Sequence, residues 1–382
     1  MPSRPEPLSV SRRRSCLLVL LCAVQGCERF AFLAMLPLFV LYAEDRQALP
    51  APTALMVLAI LQALSYLGGL PGGWLADRKL GVRLSTVLGA TLLTLAYGSL
   101  SLDRASLFWP AIMFMVAGHS LFRPGLHVML AHANARDEHA RERGFLWHYL
   151  AANIGYAAGA MFGEWAHAGH GWVMLFGGAA AVSMLSAGLL WHGTARLQSE
   201  GTDPNATRVH RDTAPRNGSM SAVCLLCSVA VVLWLTAQQA GSSLSVFAAV
   251  NTDRQIALLS HSLPLGPGLF ASLHGLIVIA MLPLFLYLNR RQRVHSGSTI
   301  GKLVWGYVAT SAAFTLMATA SLCGGDEARV SGAWLIGCYV LLSLAEILLA
   351  PLGVSLVTRL APERKAAQAV GLWFAKIGRA HV

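Results

Sequence analysis

The chain has 382 residues, of which 55% are hydrophobic and only 12% charged, and its mean hydropathy is +0.56. Soluble domains carry about 25% charged residues, so this composition excludes a soluble protein and predicts an integral membrane protein. The net charge of +11 could suggest a nucleic-acid partner. We expect none, because the basic residues alternate along the chain instead of forming one patch.

Ten apolar segments are long enough to cross a hydrocarbon core of about 30 Å, and an eleventh begins near Ala366. The sequence therefore predicts an all-α membrane protein. The first ten segments, numbered here as spans one to ten, are residues 16–42, 54–75, 84–102, 106–131, 145–165, 171–191, 222–247, 269–288, 300–322 and 332–358.

Lysine and arginine are distributed unevenly between the two sets of loops. If the N-terminus is cytoplasmic, 21 of the 29 basic residues lie on the cytoplasmic side and only four lie in the opposite loops. Short loops rich in these residues stay in the cytoplasm. The bias predicts a cytoplasmic N-terminus, and we expect the protein in the inner or plasma membrane.

A polar stretch at residues 192–221 separates six spans from those that follow. It predicts an N-terminal six-helix bundle at 1–191, a cytoplasmic linker at 192–221 and an incomplete C-terminal bundle at 222–376, with substrate bound between the halves. The eleventh segment ends at Ala375, too short to cross. We expect residues 377–382 to be a non-native tail, since IGRAHV matches one frame of a common sequencing adapter, and the natural chain to continue through a twelfth span.

Glu28 and Arg29 are adjacent near the middle of span one. A charge at that depth costs about 2.5 to 3.5 kcal/mol, so such residues usually line a protein cavity and have partners there. Gln25 lies on the same helix face. Arg123 in span four is a second intramembrane cation, and Glu28 is its nearest candidate partner by residue type. A carboxylate whose ion pair breaks with conformation can couple proton binding to a structural switch.

Glycines mark two places where the chain can pack or turn closely. Gly155, Gly159 and Gly163 repeat at four-residue spacing in span five, which predicts close approach of another helix. The turn after span two combines glycines, an acid and cations, which predicts a latch that holds one conformation; an ordinary charged turn is the alternative. The turn resembles the loop signature of the major facilitator superfamily. Its predicted latch residues are Gly73, Asp77, Arg78, Gly81 and Arg83.

Several further motifs resemble the proton-dependent oligopeptide transporter family of that superfamily, each in the span where the family carries it. The resemblance covers residues 22 to about 374. The motifs are Glu28-Arg29-Phe30, Phe122-Arg123-Pro124, the stretch from Phe145 to Gly155 with Tyr149 and Asn153, the stretch from Trp234 to Leu244 with Gln238 and Gln239, and the stretch from Leu344 to Gly353 with Glu346.

The resemblance implies a major facilitator fold of two six-helix bundles and a proton-coupled symporter that imports di- or tripeptides, or related small solutes, by alternating access. It implies that Arg29 and Arg123 serve the peptide carboxylate and that Glu346 receives the amino terminus. The implied proton-coupling residues are Glu28, Arg29, Arg123 and Glu346. The implied substrate-binding residues are Arg29, Arg123, Tyr149, Asn153, Gln239, His274 and Glu346.

The chain departs from the family pattern at several of these positions. Gln25 and Gln238 stand where the family has acids, and His274 where it has an asparagine. Arg123 replaces a lysine and effectively cannot deprotonate. Two lost acids leave Glu28 and Glu346 as the main proton acceptors, so a carrier of a non-peptide solute is an alternative.

The polar candidates also have a purely structural explanation. Without the resemblance, residues such as Tyr149, Asn153, Gln238 and Gln239 are more often interhelical hydrogen-bond partners than ligands. His274 is either a packing residue or a titrating group. His119, His127 and His148 show no metal-ligand pattern.

The sequence lacks the motifs that would indicate another class of function. The sequence has no GxSxG, HExxH or paired acidic motif, so we expect no enzyme. We expect no metal and no cofactor, with the proton as coupling ion, and a monomer in the lipid bilayer whose partner is a small peptide or similar solute. A sensor on the same fold, which binds without transporting, stays an alternative.

Glu28→Gln keeps the side-chain shape but cannot ionise. We expect it to abolish accumulation driven by a proton gradient while counterflow exchange continues, because exchange needs no net proton movement. Uptake of a labelled dipeptide into proteoliposomes measures the accumulation when a proton gradient is imposed and the counterflow exchange when it is not. Unimpaired accumulation would contradict the role of Glu28.

Overall fold

A computed structural model describes residues 8–133, 138–199, 218–237, 239, 243–253, 255–258, 261–264, 267–291, 299–324 and 329–378. The described chain is almost entirely helical. Its α-helices are α1 (Leu8–Met35), α2 (Phe39–Gln47), α3 (Ala51–Leu67), α4 (Gly69–Leu75), α5 (Val82–Ser101), α6 (Ala105–Ala133), α7 (Glu138–Ser199), α8 (Met220–Ala237), α9 (Ser243–Val250), α10 (Pro267–Arg291), α11 (Thr299–Gly324), α12 (Ala333–Leu360) and α13 (Ala366–Gly378).

Seven helical segments among the described residues are long and apolar enough to cross a membrane. One of them, Ala140–Ala195, contains the predicted spans five and six, which are separated by a kink in α7 at Gly171. Gly171 has φ +76°, a backbone conformation that glycine adopts without steric cost. Shorter apolar helices at Met220–Val231 and His274–Tyr287 fall on spans seven and eight. The predicted all-α membrane architecture is confirmed.

One short irregular turn interrupts span one, and another follows span two. A 3-10 turn at Leu36–Leu38 joins α1 to α2, and it contains Pro37, which has no backbone N–H to donate. A π-helical turn at Ala76–Leu80 follows α4 and ends at Gly81, whose φ is +77°. The second turn contains the predicted latch residues Asp77 and Arg78, and Gly81 follows it.

The described chain forms two compact units. The first comprises residues 1–227 and 354–382, and the second comprises 228–353. In the first unit, α1 packs against α7, α5 packs against α6 and α7, and α13 packs against α3, α4 and α6. These contacts explain why α13 belongs to the first unit. The predicted division into 1–191, 192–221 and 222–376 stays a prediction.

The second unit contains a small apolar core and four short strands. The core includes Leu244 and Ala248 of α9, Ala313 of α11 and Leu335 and Tyr339 of α12. Strands β1 (Thr252–Asp253) and β4 (Val330–Ser331) pair in parallel, and β2 (Gln255–Leu258) and β3 (His261–Pro264) form an antiparallel pair.

The eleventh segment begins at Ala366 as predicted, but its helix continues to Gly378 instead of ending at Ala375. The helix is thus 13 residues long. Apolar composition placed its end too early, because Lys376 interrupts the apolar run without ending the helix. Of the predicted tail at 377–382, residues 379–382 lie outside the described residues.

The glycine repeat of span five packs directly on the backbone of α1. A Cβ atom at Gly155, Gly159 or Gly163 would overlap the carbonyl oxygen of Gly26, Phe30 or Ala34, respectively. The two helices therefore touch backbone to backbone over two turns, as the four-residue spacing predicts. This contact sets the distance between the side chains of α1 and those of α7.

Gly159→Ala tests this interface. We expect it to destabilise the protein by about 1–3 kcal/mol, because the added methyl group forces the helices apart. The matched control is Gly177→Ala in the same helix, where a Cβ would meet nothing within 4 Å; it should be neutral or stabilise by up to about 1 kcal/mol. Thermal unfolding in detergent measures both, and equal stability of the two variants would contradict the packing.

Candidate functional site

Glu28 and Arg29 form a buried ion pair in α1. Their side chains are 2% and 6% exposed, and Gln25 on the same face is also buried. The guanidinium Nε and Nη2 of Arg29 donate to the two carboxylate oxygens of Glu28. The remaining Nη1 donates to the Tyr156 hydroxyl of α7 at 3.0 Å. A bidentate, charge-assisted pair of this kind fixes both side chains.

Arg123 of α6 does not pair with Glu28, so the predicted partnership is wrong. Within the described part of the chain, none of its three guanidinium nitrogens makes a hydrogen bond, although the residue is 4% exposed. Its Cζ lies 4.6 Å from the centre of the Tyr66 ring and 5.8 Å from that of Phe32. The aromatic faces stabilise the cation, but they supply no counter-charge.

Glu28 does not pair with Arg123 because both of its carboxylate oxygens already accept hydrogen bonds from Arg29. Glu28, Arg29 and Arg123 together carry one surplus positive charge. A buried charge without a partner costs several kcal/mol, so a built site of this kind favours an anionic ligand.

Three residues of this cluster were not among the predicted site residues. His119 is fully buried, with Nδ1 3.1 Å from Glu28 Oε1. In the sequence this histidine shows no metal-ligand pattern, so it was not chosen as a site residue. It lies one helical turn before Arg123, so the four-residue spacing could have identified it. Tyr156 follows Asn153 by three residues on α7, which is a similar signal. Tyr66 lies on α3, and nothing in the local sequence connects it with Arg123.

Tyr149 and Asn153 lie on α7 with half-buried side chains. The Asn153 amide donates to the carbonyl oxygen of Tyr149 at 2.9 Å, so part of its hydrogen-bonding capacity is used within its own helix. Their predicted contact with substrate stays a prediction.

The other candidates lie in the second compact unit. His274 Nε2 of α10 is 3.4 Å from Glu346 Oε2 of α12, with side chains 18% and 20% exposed. Gln239 donates to the Leu235 carbonyl at 3.1 Å and accepts from the Ser243 hydroxyl at 2.6 Å. Gln238 lies outside the described residues. The common cavity expected for Glu28, Arg29, Arg123 and Glu346 stays a prediction.

The predicted latch residues join the end of α4 to α13. The Asp77 carboxylate accepts the backbone N–H groups of Ala367 at 3.1 Å and Gln368 at 2.8 Å, so it caps the first turn of α13. The backbone at Gly73 packs so closely on Ala367 that a Cβ would overlap its carbonyl oxygen.

The two arginines of the latch do not contact α13 in the same way as Asp77: Arg83 bonds to α7, and Arg78 is exposed. Arg83 donates to the Thr194 hydroxyl at 2.7 Å and to the Trp191 carbonyl at 3.2 Å, both in α7. Arg78 is exposed in the turn, and Gly81 supplies the positive φ that ends it. This geometry fits a latch, and its function in the transport cycle stays a prediction.

Comparisons with known proteins agree with this architecture. The sequence model of the major facilitator superfamily matches residues 18–377. The chain is 26% identical to a peptide transporter of Yersinia enterocolitica, over 91% of this chain and 82% of that protein. It is 22% identical to a di-/tripeptide transporter of Lactococcus lactis subsp. cremoris, over 91% and 84%.

Solved structures show the same fold. A POT family transporter in complex with 5-aminolevulinic acid has a TM-score of 0.67 at 20% identity, covering 95% of this chain and 88% of that one. A peptide transporter in complex with alafosfalin has a TM-score of 0.63 at 21% identity, covering 95% and 86%. The resemblance to the proton-dependent oligopeptide transporters is therefore confirmed.

Asp77→Ala tests the contact with α13. Loss of a helix cap costs about 0.5–2 kcal/mol, so we expect the amides of Ala367 and Gln368 to exchange hydrogen about 2- to 30-fold faster. Asp77→Asn keeps an acceptor oxygen and should show a smaller effect. Exchange measured by mass spectrometry on peptides covering residues 366–370 checks this, and unchanged exchange in Asp77→Ala would contradict the capping role.

Proposed function

Because the chain belongs to the major facilitator superfamily, we propose that it is a proton-coupled symporter that imports di- or tripeptides, or closely related small solutes, by alternating access. The protein is a multi-pass membrane protein and not an enzyme. Relatives named as peptide transporters support the substrate class.

The observation that carries the proposal is the buried cation Arg123, whose guanidinium makes no hydrogen bond within the described part of the chain. A peptide has a carboxylate at one end, and a carboxylate that binds Arg123 would neutralise the surplus charge of the cluster and accept its guanidinium donors. When its ion pair with Glu28 weakens, Arg29 can also donate hydrogen bonds to the substrate carboxylate. An anionic end group fits this site better than a neutral or cationic one.

The coupling step follows from the same ion pair. A proton taken up at Glu28, or at a base beside it, weakens the hold of the carboxylate on Arg29 and makes the cluster more positive. The proton gradient thereby favours binding of the substrate carboxylate. No cofactor is needed for this step, because the proton itself is the coupling ion.

The peptide amino terminus needs an acid, and we assign it to Glu346. In the second unit its carboxylate is partly exposed beside His274, whereas Glu28 is occupied by Arg29. A peptide ammonium would find in Glu346 a counter-charge that the Glu28 cluster does not offer. We further propose that the protein works as a monomer in the inner or plasma membrane, with a cytoplasmic N-terminus.

Arg123→Gln tests the carboxylate site by comparing a labelled dipeptide with its C-terminal amide. Removing one partner of a buried charge pair costs about 2–5 kcal/mol, so the variant should bind the free dipeptide about 30-fold more weakly or worse. Binding of the amide should change little. Arg123→Lys is the matched control, since it keeps the charge and should retain part of the preference.

Binding and proton-driven uptake are measured on the same reconstituted protein. Wild-type protein should accumulate the dipeptide inside proteoliposomes under an imposed proton gradient. Binding without accumulation would identify a sensor, and neither binding nor uptake of any dipeptide would point to a carrier of another solute. A variant Arg123→Gln that still prefers the free carboxylate would contradict the assignment of Arg123.

A further inference from the structure

We propose that His119 is the proton-binding site of the Glu28 cluster, and that its protonation draws Glu28 away from Arg29 and so prepares the cluster for an anionic ligand. The inference rests on the proposed function and names the group in this site that takes up the coupling proton.

The first support is the state of the imidazole. His119 is 0% exposed, and among the described residues its Nε2 has no hydrogen-bond partner. Its Nδ1 faces Glu28 Oε1 at 3.1 Å, and its ring meets the Phe32 ring edge-on at 5.1 Å. Buried polar atoms without partners are rare in folded proteins and call for an explanation. A proton-binding base beside a carboxylate supplies one.

The second support is the chemistry of the neighbours. Arginine does not deprotonate in proteins, so Arg29 and Arg123 exchange no proton. Tyrosine in water ionises near pH 10, well above the physiological range. Histidine is the side chain that ordinarily changes its charge between about pH 5 and 8. The charged and titratable groups around the site are Glu28 and Arg29 of α1, Tyr66 of α3, Tyr97 of α5, Arg123 and His127 of α6, and His148 and Tyr156 of α7.

The third support is the charge balance. A proton that binds to the unprotonated ring nitrogen converts imidazole to imidazolium, and no other bond forms or breaks. The cluster of Glu28, Arg29, Arg123 and His119 then rises from one surplus positive charge to two. The new cation stands beside the Glu28 carboxylate and competes with Arg29 for it. Arg29 then has donors for a substrate carboxylate, whose binding returns the cluster to one surplus charge.

The test measures the protons that wild-type protein takes up when it binds a dipeptide. Calorimetry in buffers of different ionisation enthalpy gives this number directly. We expect uptake approaching one proton near neutral pH, with affinity falling by up to about tenfold per pH unit as the pH rises, the limit for one linked proton. His119→Asn keeps an amide near the position of Nδ1 but cannot bind a proton. It should lose the proton uptake and the slope while still binding the dipeptide.

His127→Asn is the matched control on the same helix. His127 is also buried, but its Nδ1 bonds to the Arg123 carbonyl at 2.8 Å and its ring meets the rings of His148 and Phe374 edge-on. This variant should keep the wild-type proton uptake. His119→Gln serves as a second variant if His119→Asn does not fold.

The outcomes separate the inference from the function on which it rests. Wild-type protein that binds the dipeptide without taking up a proton overturns the assignment of His119, and peptide binding still stands. Undiminished proton uptake in a folded His119 variant also overturns it, because the proton then binds elsewhere. Wild-type protein that binds no dipeptide overturns both proposals.

Discussion

The ion pair between Glu28 and Arg29 is the interaction on which the rest of the site depends. It joins two neighbours in the sequence and uses both carboxylate oxygens. Among the described residues, the fourth-span cation Arg123 therefore has aromatic faces beside it but no hydrogen-bonded carboxylate. A site that is positive by one charge, and closed off from water, is suited to a carboxylate. Whatever weakens this one pair also changes how many donors the cluster can offer.

Close helix packing holds the pair in place. The glycines of α7 let its backbone touch that of α1, and this contact brings the Tyr156 hydroxyl to Arg29. Long side chains at that interface would separate the two helices and remove the hydrogen bond. At the end of α4, the glycine at position 73 and the carboxylate of Asp77 hold the start of α13 in a similar way. Small residues thus determine the geometry in which the charged residues act.

Local sequence patterns predicted most of the fold and part of the site. The apolar segments gave the helices, and the glycine repeat gave the α1–α7 interface. The two buried charges of span one were conspicuous because charge is costly in hydrocarbon. The sequence did not correctly predict which side chains these charges contact. The expectation that Glu28 would bind Arg123 was wrong, and Tyr66 was not foreseen, because pairing depends on distances between helices that residue type does not encode.

The sequence by itself determined that this is a helical membrane protein with charges in spans one, four and ten, and its motifs showed the resemblance to a transporter family. Hydropathy and residue spacing are local properties, so they can be obtained without coordinates. Only the tertiary structure decided which charge is satisfied and which is free. It joined Arg29 to Glu28, left Arg123 without a hydrogen-bond partner among the described residues, and placed the imidazole of His119 against the carboxylate. Electrostatic energy depends on separation and burial, and both arise from the packing of distant segments.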